Sequence, residues 1–371
     1  MTSASPAVAP PPRLLGLATA VPPHRLPQAA VRARMLDLFD SGRGGLSERL
    51  AAVFDNAGIA TRYSCMPLDW YGSEIGWAAR NRLYETHATD LLAQTAERVL
   101  ASAGLMPGDI DALVTVSTTG LATPSLDARL MNRLPFRRDL RRLPVFGLGC
   151  CGGVLGLNRA AELAAARPGQ RVLLLTVELC ALTFRPRDRR AANVVASALF
   201  GDGAAGAVLS THPEDQAAGP AVVHGSEHTW PDSEDVMGWE VQDDGLGVRF
   251  SRDIPRHVAH AFAAVLDDAL AAAGLARAAL GATACHPGGA KVITALEQVF
   301  GLAEGDMTAA RRVLRDYGNM SAPTVLFVLR EVLAARPQGP VLASALGPGF
   351  TAGFTLLDPA PAAAPSWGAG R

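Results

Sequence analysis

Apolar residues recur along the chain at two periods, and the order in which the periods follow one another occurs twice. In 99–118, VLASAGLMPGDIDALVTVST, helical spacing runs to Gly104 and gives way to a continuous apolar strand. In 268–287, DALAAAGLARAALGATACHP, the same order appears with Gly274 in the place of Gly104. The pattern also predicts a strand over 13–20, a helical region to about Tyr63 with SGRGG inside it, helix 88–103 and strand 112–118. Strand 143–149, helix 151–166 and strand 171–178 then form a βαβ unit. ALFGDGAAGAVL (198–209) reads as a glycine-interrupted strand or hairpin, and 212–256 as an irregular insertion. VLASALGPGFTAGFTLL reads as two strands joined by a Gly-Pro-Gly turn.

The duplication extends to the central unit. LPVFGLG leads into Cys150, a helix ending AAARPGQ and the strand RVLLLTVEL; YGNMSAPTVLFVLREVL leads into LAARPQGP and VLASAL. Aligning the two Ala-Ala-Arg-Pro helix ends pairs Arg167 with Arg336 and Val172 with Val341, an offset of 169 that carries Cys150 onto Asn319. The segments at 99–118 and 268–287 agree at an offset of 170. Two α/β halves are therefore expected face to face, with Cys150, His286 and Asn319 brought toward one centre. The expected division is a lead over 1–12, a nucleophile-bearing half over 13–211, a half with His286 and Asn319 over 212–358, and a tail over 359–371. The lead and the Pro/Ala-rich tail read as disordered.

Bulk properties narrow the class. With 371 residues, 49% of them hydrophobic, the chain can bury a large core. A net charge of −1 gives no argument for nucleic acid or an anionic membrane surface. The five cysteines (65, 150, 151, 180 and 285) form no CxxC pair, so zinc spacing is absent and reduced thiols in a cytoplasmic setting are expected. No apolar run approaches the ~20 residues of a membrane span, and the N-terminus has no signal-peptide pattern.

Cys150 follows Gly-Leu-Gly at the start of a predicted helix. There the helix dipole, the free N–H groups and a nearby imidazole favour a thiolate nucleophile. Its own N–H is a candidate oxyanion donor. Cys151, one position into the helix, is expected to point into the core; Cys180 and Cys285 read as small apolar wall residues. His286, in Cys-His-Pro-Gly-Gly, ends a strand. Asn319, in Tyr-Gly-Asn-Met-Ser-Ala-Pro, is either a helix N-cap or an amide donor toward a thioester carbonyl.

GLGC(150)CGG, ACH(286)PGG, YGN(319)MSAP and GPG(349)F, with TFR (183–185) and ALFGDGAA (198–205), closely resemble type III polyketide synthases, the chalcone/stilbene synthase-like enzymes, over about 13–357. The resemblance implies a thiolase-like, five-layered αβαβα fold of two duplicated halves, in a homodimer, with no metal and no redox cofactor. Cys150 would take a starter acyl group from a CoA thioester. His286 and Asn319 would hydrogen-bond the malonyl-CoA carbonyl while decarboxylation yields a carbanion that attacks the acyl group. The cycle would repeat and the chain cyclise. Phe200 matches a gate of the CoA tunnel; Thr118, Glu178 and Ser321 match a polar set that directs ring closure. Thr119, Cys180 and Thr183 match cavity positions, Val248 stands where plant members have a second gating phenylalanine, and Thr123 falls where a side chain reaches across the dimer interface. Of the basic residues that grip CoA, Arg49 aligns with one while Ala52 and Asn56 replace others, leaving Arg62 and Lys291 to compensate; a carrier-protein-bound starter is the alternative. Ala345-Leu346 departs from the usual start of the Gly-Phe-Gly-Pro-Gly turn that ends at Gly349. Several stretches resemble bacterial alkylresorcinol and alkylpyrone synthases, which points to a fatty acyl starter. The alternatives are a malonyl-primed hydroxynaphthalene or phloroglucinol synthase, and a ketoacyl-carrier-protein synthase III-like condensing enzyme.

Overall fold

A computed structural model describes residues 10–39, 46–251 and 254–359, with only the backbone of 46–50. SGRGG (41–45), most of the predicted lead and most of the predicted tail lie outside these residues. The first half runs β1 (Arg13–Ala20), β2 (His24–Pro27), α1 (Gln28–Phe39), α2 (Leu46–Asp55), β3 (Thr61–Ser64), α3 (Trp77–Ala103) and β4 (Ala112–Val116). It continues with α4 (Leu126–Leu130), β5 (Arg141–Val145), α5 (Gly152–Ala166), β6 (Arg171–Leu179), α6 (Ala191–Leu199) and β7 (Asp202–Ser210). The second half runs β8 (Ala221–Thr229), β9 (Met237–Gln242), β10 (Gly245–Phe250), α7 (Ile254–His257), α8 (Ala263–Ala272) and β11 (Ala282–Cys285). Then come α9 (Ala290–Phe300), α10 (Thr308–Tyr317), α11 (Thr324–Ala334), β12 (Val341–Gly347) and β13 (Thr351–Asp358).

The strands of the main sheet follow the order β11-β12-β13-β8-β1-β7-β6-β4-β5. Between β8 and β1 the ladder is one residue pair, Arg13 with Ala221, so the array divides there into a five-stranded and a four-stranded part. In the first part β4 is parallel to β6, β6 antiparallel to β7, and β7 antiparallel to β1. In the second, β11, β12, β13 and β8 repeat those directions in that order. Ala112 stands opposite Val172 and Ala282 opposite Val341, so the registers reproduce the offsets of 170 and 169 seen in the sequence.

Helices α5 and α11 pack on each other and on strands of both parts, α3 covers β1, β7 and β6 from outside, and α8 lies against β8. The layers are therefore αβαβα. The two inner helices meet at Gly153, where a Cβ would lie 2.3 Å from the Ala322 carbonyl oxygen and 2.5 Å from Val325. Only glycine permits that approach, which buries Val154, Leu155 and Leu157 of α5 with Val325 and Leu329 of α11.

Three expectations change. Helix α3 begins at Trp77 rather than 88: its first turns bury Arg80 and Tyr84 through hydrogen bonds, which leaves no apolar stripe to read. ALFGDGAAGAVL is neither hairpin nor broken strand. Its first residues end α6 and the remainder is the single strand β7, where Gly203 and Gly206 make room for Met320 and Leu175. The stretch 212–256 carries three ordered strands: β8 is integral to the second part of the sheet, and β9–β10 is a separate hairpin.

Candidate active site

Cys150 lies in a 3₁₀ turn, Gly149–Cys151, that runs straight into α5. Gly149 adopts φ +47°, and a Cβ on it would lie 2.6 Å from Pro348 of the β12–β13 turn. That turn thus presses on the nucleophile loop, and a side chain at 149 would lift it. The Gly149 N–H donates to Thr118 Oγ1 at 3.1 Å. Cys151 points away: its thiol faces the Ala345 carbonyl at 3.4 Å, inside the core.

Asn319 does not cap α11. It lies five residues before Thr324, and its Oδ1 accepts the Ser321 N–H at 2.8 Å while Nδ2 donates to the Gly288 carbonyl at 3.2 Å. Its backbone bridges to Phe200, with Asn319 N–H donating to the Leu199 carbonyl and Gly201 N–H to the Asn319 carbonyl. Ser321 is held at φ +57°, a left-handed conformation unusual for a side chain with a Cβ and here imposed by the Asx turn. His286 is fixed through its backbone N–H to the Ser344 carbonyl, yet both ring nitrogens are buried without a hydrogen-bond partner.

Cys150, His286 and Asn319 line one cavity, whose remaining wall is mainly apolar: Met237, Phe250, Ile254, Phe262, Val292 and Leu296. The Ser321 and Asn319 side chains lie near the Cys150 thiol and favour its ionisation. Burial works against the thiolate that the helix terminus favours. Burial pushes the thiol up to about 11 and outweighs the influence of those two side chains, with the nearby Glu178 adding to the rise. Burial alone lowers His286 to about 4. Burial in this mainly apolar site thus disfavours both charged forms, the thiolate and the imidazolium.

Behind Cys150 lies a fully buried carboxylate. Glu178 accepts the Thr118 N–H at 3.0 and 3.1 Å and the Thr119 hydroxyl at 2.8 Å, and Tyr84 donates to Ser117 beside it at 2.7 Å. Burial raises its carboxyl to about 7 against the hydrogen bonds from Thr118 and Thr119. Thr118, Glu178 and Ser321 therefore gather behind the thiol rather than on the cavity wall. Cys180, Thr183, Phe200 and Val248 line a second cavity, and Thr119 and Thr183 a third. Gly349, at φ +70°, shapes the β12–β13 turn and accepts a hydrogen bond from Ser233 on its carbonyl; it does not line the catalytic cavity.

Arg62 is corrected. It is buried, with NH1 and NH2 donating to the carbonyls of Ser197, Ala198 and Phe200 at the end of α6 and to Gln28, so it caps a helix and is not available to CoA. Lys291 is exposed in the first turn of α9, next to the cavity-lining Val292. Arg49 falls in α2, but its side chain lies outside the described residues. Thr123 is exposed in the loop before α4. Sequence reasoning missed Met237, Trp239, Leu246 and Phe250. Their signal was an apolar residue at every second position in 237–241 and 246–250, within a stretch taken as irregular.

Comparison with known proteins supplies the rest. Residues 3–213 match the family model of chalcone and stilbene synthases, N-terminal domain, and 221–356 that of the C-terminal domain. A 1,3,6,8-tetrahydroxynaphthalene synthase of Streptomyces peucetius subsp. caesius is 38% identical over 346 residues, 91% of each chain. A 3,5-dihydroxyphenylacetyl-CoA synthase of Amycolatopsis orientalis is 30% identical over 355 residues, 93% of each. The solved 1,3,6,8-tetrahydroxynaphthalene synthase of Streptomyces coelicolor A3(2), a bacterial type III polyketide synthase, superposes with a TM-score of 0.88 at 25% identity, covering 94% of this chain and all of that one.

Proposed function

The chain belongs to the chalcone and stilbene synthase family, the type III polyketide synthases, and from that premise we propose an acyltransferase mechanism built on Cys150, His286 and Asn319. The observation that carries it is the convergence of a buried thiol, an imidazole with no partner on either nitrogen and an amide on one mainly apolar cavity. The thiol attacks the carbonyl of an acyl-CoA; its proton passes to His286 and the CoA thiolate leaves protonated. Malonyl-CoA then enters. His286 and Asn319 Nδ2 donate to its thioester oxygen, carbon dioxide departs, and the electron pair left on the α-carbon attacks the acyl carbonyl, expelling Cys150 as thiolate. A donor of this kind is worth about 3–4 kcal/mol in the transition state. A neutral imidazole can both accept the thiol proton and donate to the enolate, which a permanently charged one cannot do in that order.

The apolar wall of the catalytic cavity supports a fatty acyl starter, elongated and closed to an alkylpyrone or alkylresorcinol-type ring. A second reading, priming by malonyl-CoA, draws on the relatives that carry the name tetrahydroxynaphthalene synthase. Phe200, whose backbone touches Asn319 and which lines the second cavity, would act as the gate. Thr118, Glu178 and Ser321 would hold the water that directs ring closure. Lys291 at the α9 N-terminus would meet a CoA phosphate. A homodimer would form on the β5 edge, where Leu143, Phe146 and Leu121 are exposed together with Thr123. The test is mass spectrometry of products from malonyl-CoA with and without acyl-CoAs of increasing length. Products that require a long acyl-CoA support the first reading; products from malonyl-CoA alone establish the second.

A further inference from the structure

The last carbonyls of a helix have no partner within it, yet at the end of α6 each one from Ala196 to Phe200 is answered. Ala196 accepts the Phe200 N–H at 2.9 Å. Arg62, on β3, takes the next: Nη1 donates to the Ser197 carbonyl at 2.7 Å and the Phe200 carbonyl at 2.8 Å, and Nη2 to the Ala198 carbonyl at 2.5 Å. Gln28 accepts the other Nη2 hydrogen through Oε1 and itself donates to the Ala198 carbonyl at 3.0 Å. The Leu199 carbonyl, which the guanidinium skips, accepts the Asn319 N–H at 2.9 Å. One planar cation and one backbone amide therefore close the same helix end, and a positive charge is what a helix C-terminus favours.

The segment around Asn319 is locked to that end from a second side. The Gly201 N–H donates to the Asn319 carbonyl at 3.0 Å. A Cβ on Gly201 would lie 2.7 Å from the Tyr317 carbonyl oxygen and 3.3 Å from Cβ of Arg62. One on Gly318 would lie 3.0 Å from the Leu199 carbonyl oxygen and 3.5 Å from the same Arg62 atom. Tyr63, beside Arg62, stacks on Tyr317 with ring centroids 5.7 Å apart. Three stretches of chain thus meet without slack. Arg62 is 4% exposed, and burial lowers its guanidinium to about 10, which still leaves it charged at neutral pH.

We propose that Arg62 is a positioning residue that couples Phe200 to Asn319: it locks the end of α6, and the locked end both carries Phe200 and holds the Asn319 backbone. The inference rests on the reading of Asn319 as the donor to the malonyl thioester. Arg62 borders the second cavity but not that of Cys150, so it acts on the chemistry only through the amide it places. Its loss therefore lowers turnover in the extender step more than loading of Cys150. Lysine cannot replace it, because one ammonium cannot span the carbonyls of Ser197, Ala198 and Phe200 as the planar fork does.

The test uses the full-length protein and the variants Arg62→Lys, Arg62→Gln and Gln28→Ala, each first shown to melt cooperatively. Hydrogen exchange is followed at the Gly201 and Asn319 amides, acylation of Cys150 by intact mass, and decarboxylation of malonyl-CoA to acetyl-CoA by chromatography. Arg62→Lys and Arg62→Gln are expected to speed exchange at both amides together by about tenfold or more, with α5 unchanged. Their kcat for decarboxylation should fall about tenfold, while KM and the acylation rate stay within about threefold. In an Asn319→Ala background Arg62→Lys should cost nothing further. Gln28→Ala should follow the same pattern with effects of about threefold, and it carries the test if the arginine variants do not fold. Faster exchange at Gly201 alone, equal losses of acylation and decarboxylation, or a loss undiminished in Asn319→Ala overturns the coupling. A wild type that does not decarboxylate malonyl-CoA, while both amides still loosen together in the variants, overturns the catalytic reading and supports the coupling.

Discussion

The turns that carry Cys150 and Asn319 occupy equivalent places in the two halves and are built by opposite means. Around Cys150 the chain is shaped by absence of side chains: Gly149 yields to Pro348, Gly152 to Val116, and Gly153 to Ala322. Around Asn319 it is shaped by side chains that bond to backbone. Asn319 accepts from Ser321, and Thr324 accepts from Met320 while donating to the Ser321 carbonyl. On the proposed mechanism the first design would let backbone approach an acyl group on Cys150; the second holds the Asn319 amide between Ser321 and Gly288. The additions differ too. The first half gains β5, an edge with exposed Leu143, and the second gains the β9–β10 hairpin. On the proposed mechanism, a shared framework would be divided between holding the chain and activating the extender.

The sharpest way to break this division is to remove each key side chain. Cys150→Ala should abolish the acyl-enzyme and lower product formation by at least about a thousandfold, whereas Asn319→Ala should still acquire an acyl mass on Cys150 and lose about 10²–10³ in condensation. Equal loss of acylation in both would show that the halves do not divide the chemistry. Next in size, Gly153→Ala should destabilise the fold by about 1–3 kcal/mol in urea titration, because its clash is with backbone. Gly156→Ala, whose Cβ would meet only side-chain atoms of Leu174 and Val116 at 3.0 Å, should lose less. Equal losses would place the tight contact of the halves elsewhere.

Glu178 gives a pH test of the first half. Its folded carboxyl lies at about 7, above the ordinary 4.5, so the native state holds the proton longer than the unfolded chain. Stability should fall as pH rises from about 4.5 to about 7, by about 3 kcal/mol at most. Asp202, raised by burial to about 6, contributes with the same sign. Glu178→Gln should flatten the slope between about pH 5 and pH 7 in denaturant midpoints, leaving the Asp202 share; an unchanged slope would remove Glu178 from the account. The smallest effect concerns the second half: Lys291→Ala should raise KM for malonyl-CoA about two- to fivefold, a difference that shrinks at high salt. A salt-independent change would point to packing instead.

Much of this was legible in the chain itself. The offsets of 169 and 170 predicted the duplication, and the two strand registers carry the same numbers. Repeats are readable because helix and strand periods and their glycine stops are local properties. Cys150, His286 and Asn319 stood out for the same reason, each in a short motif of small or turn-forming residues. Other features were decided only by tertiary structure. Arg62 looked available because a sequence shows charge but not the carbonyls that surround it in the fold. The hairpin was hidden because its alternating apolar residues are separated by charged and glycine residues that only make sense once Arg185 and Arg190 lie behind them. The effect of burial on Cys150 was hidden because a helix terminus is a local signal, whereas desolvation depends on every wall of the cavity. Covalent order and period determine which elements form; burial and electrostatic balance are sums over neighbours distant in the chain, and only the folded structure supplies those neighbours.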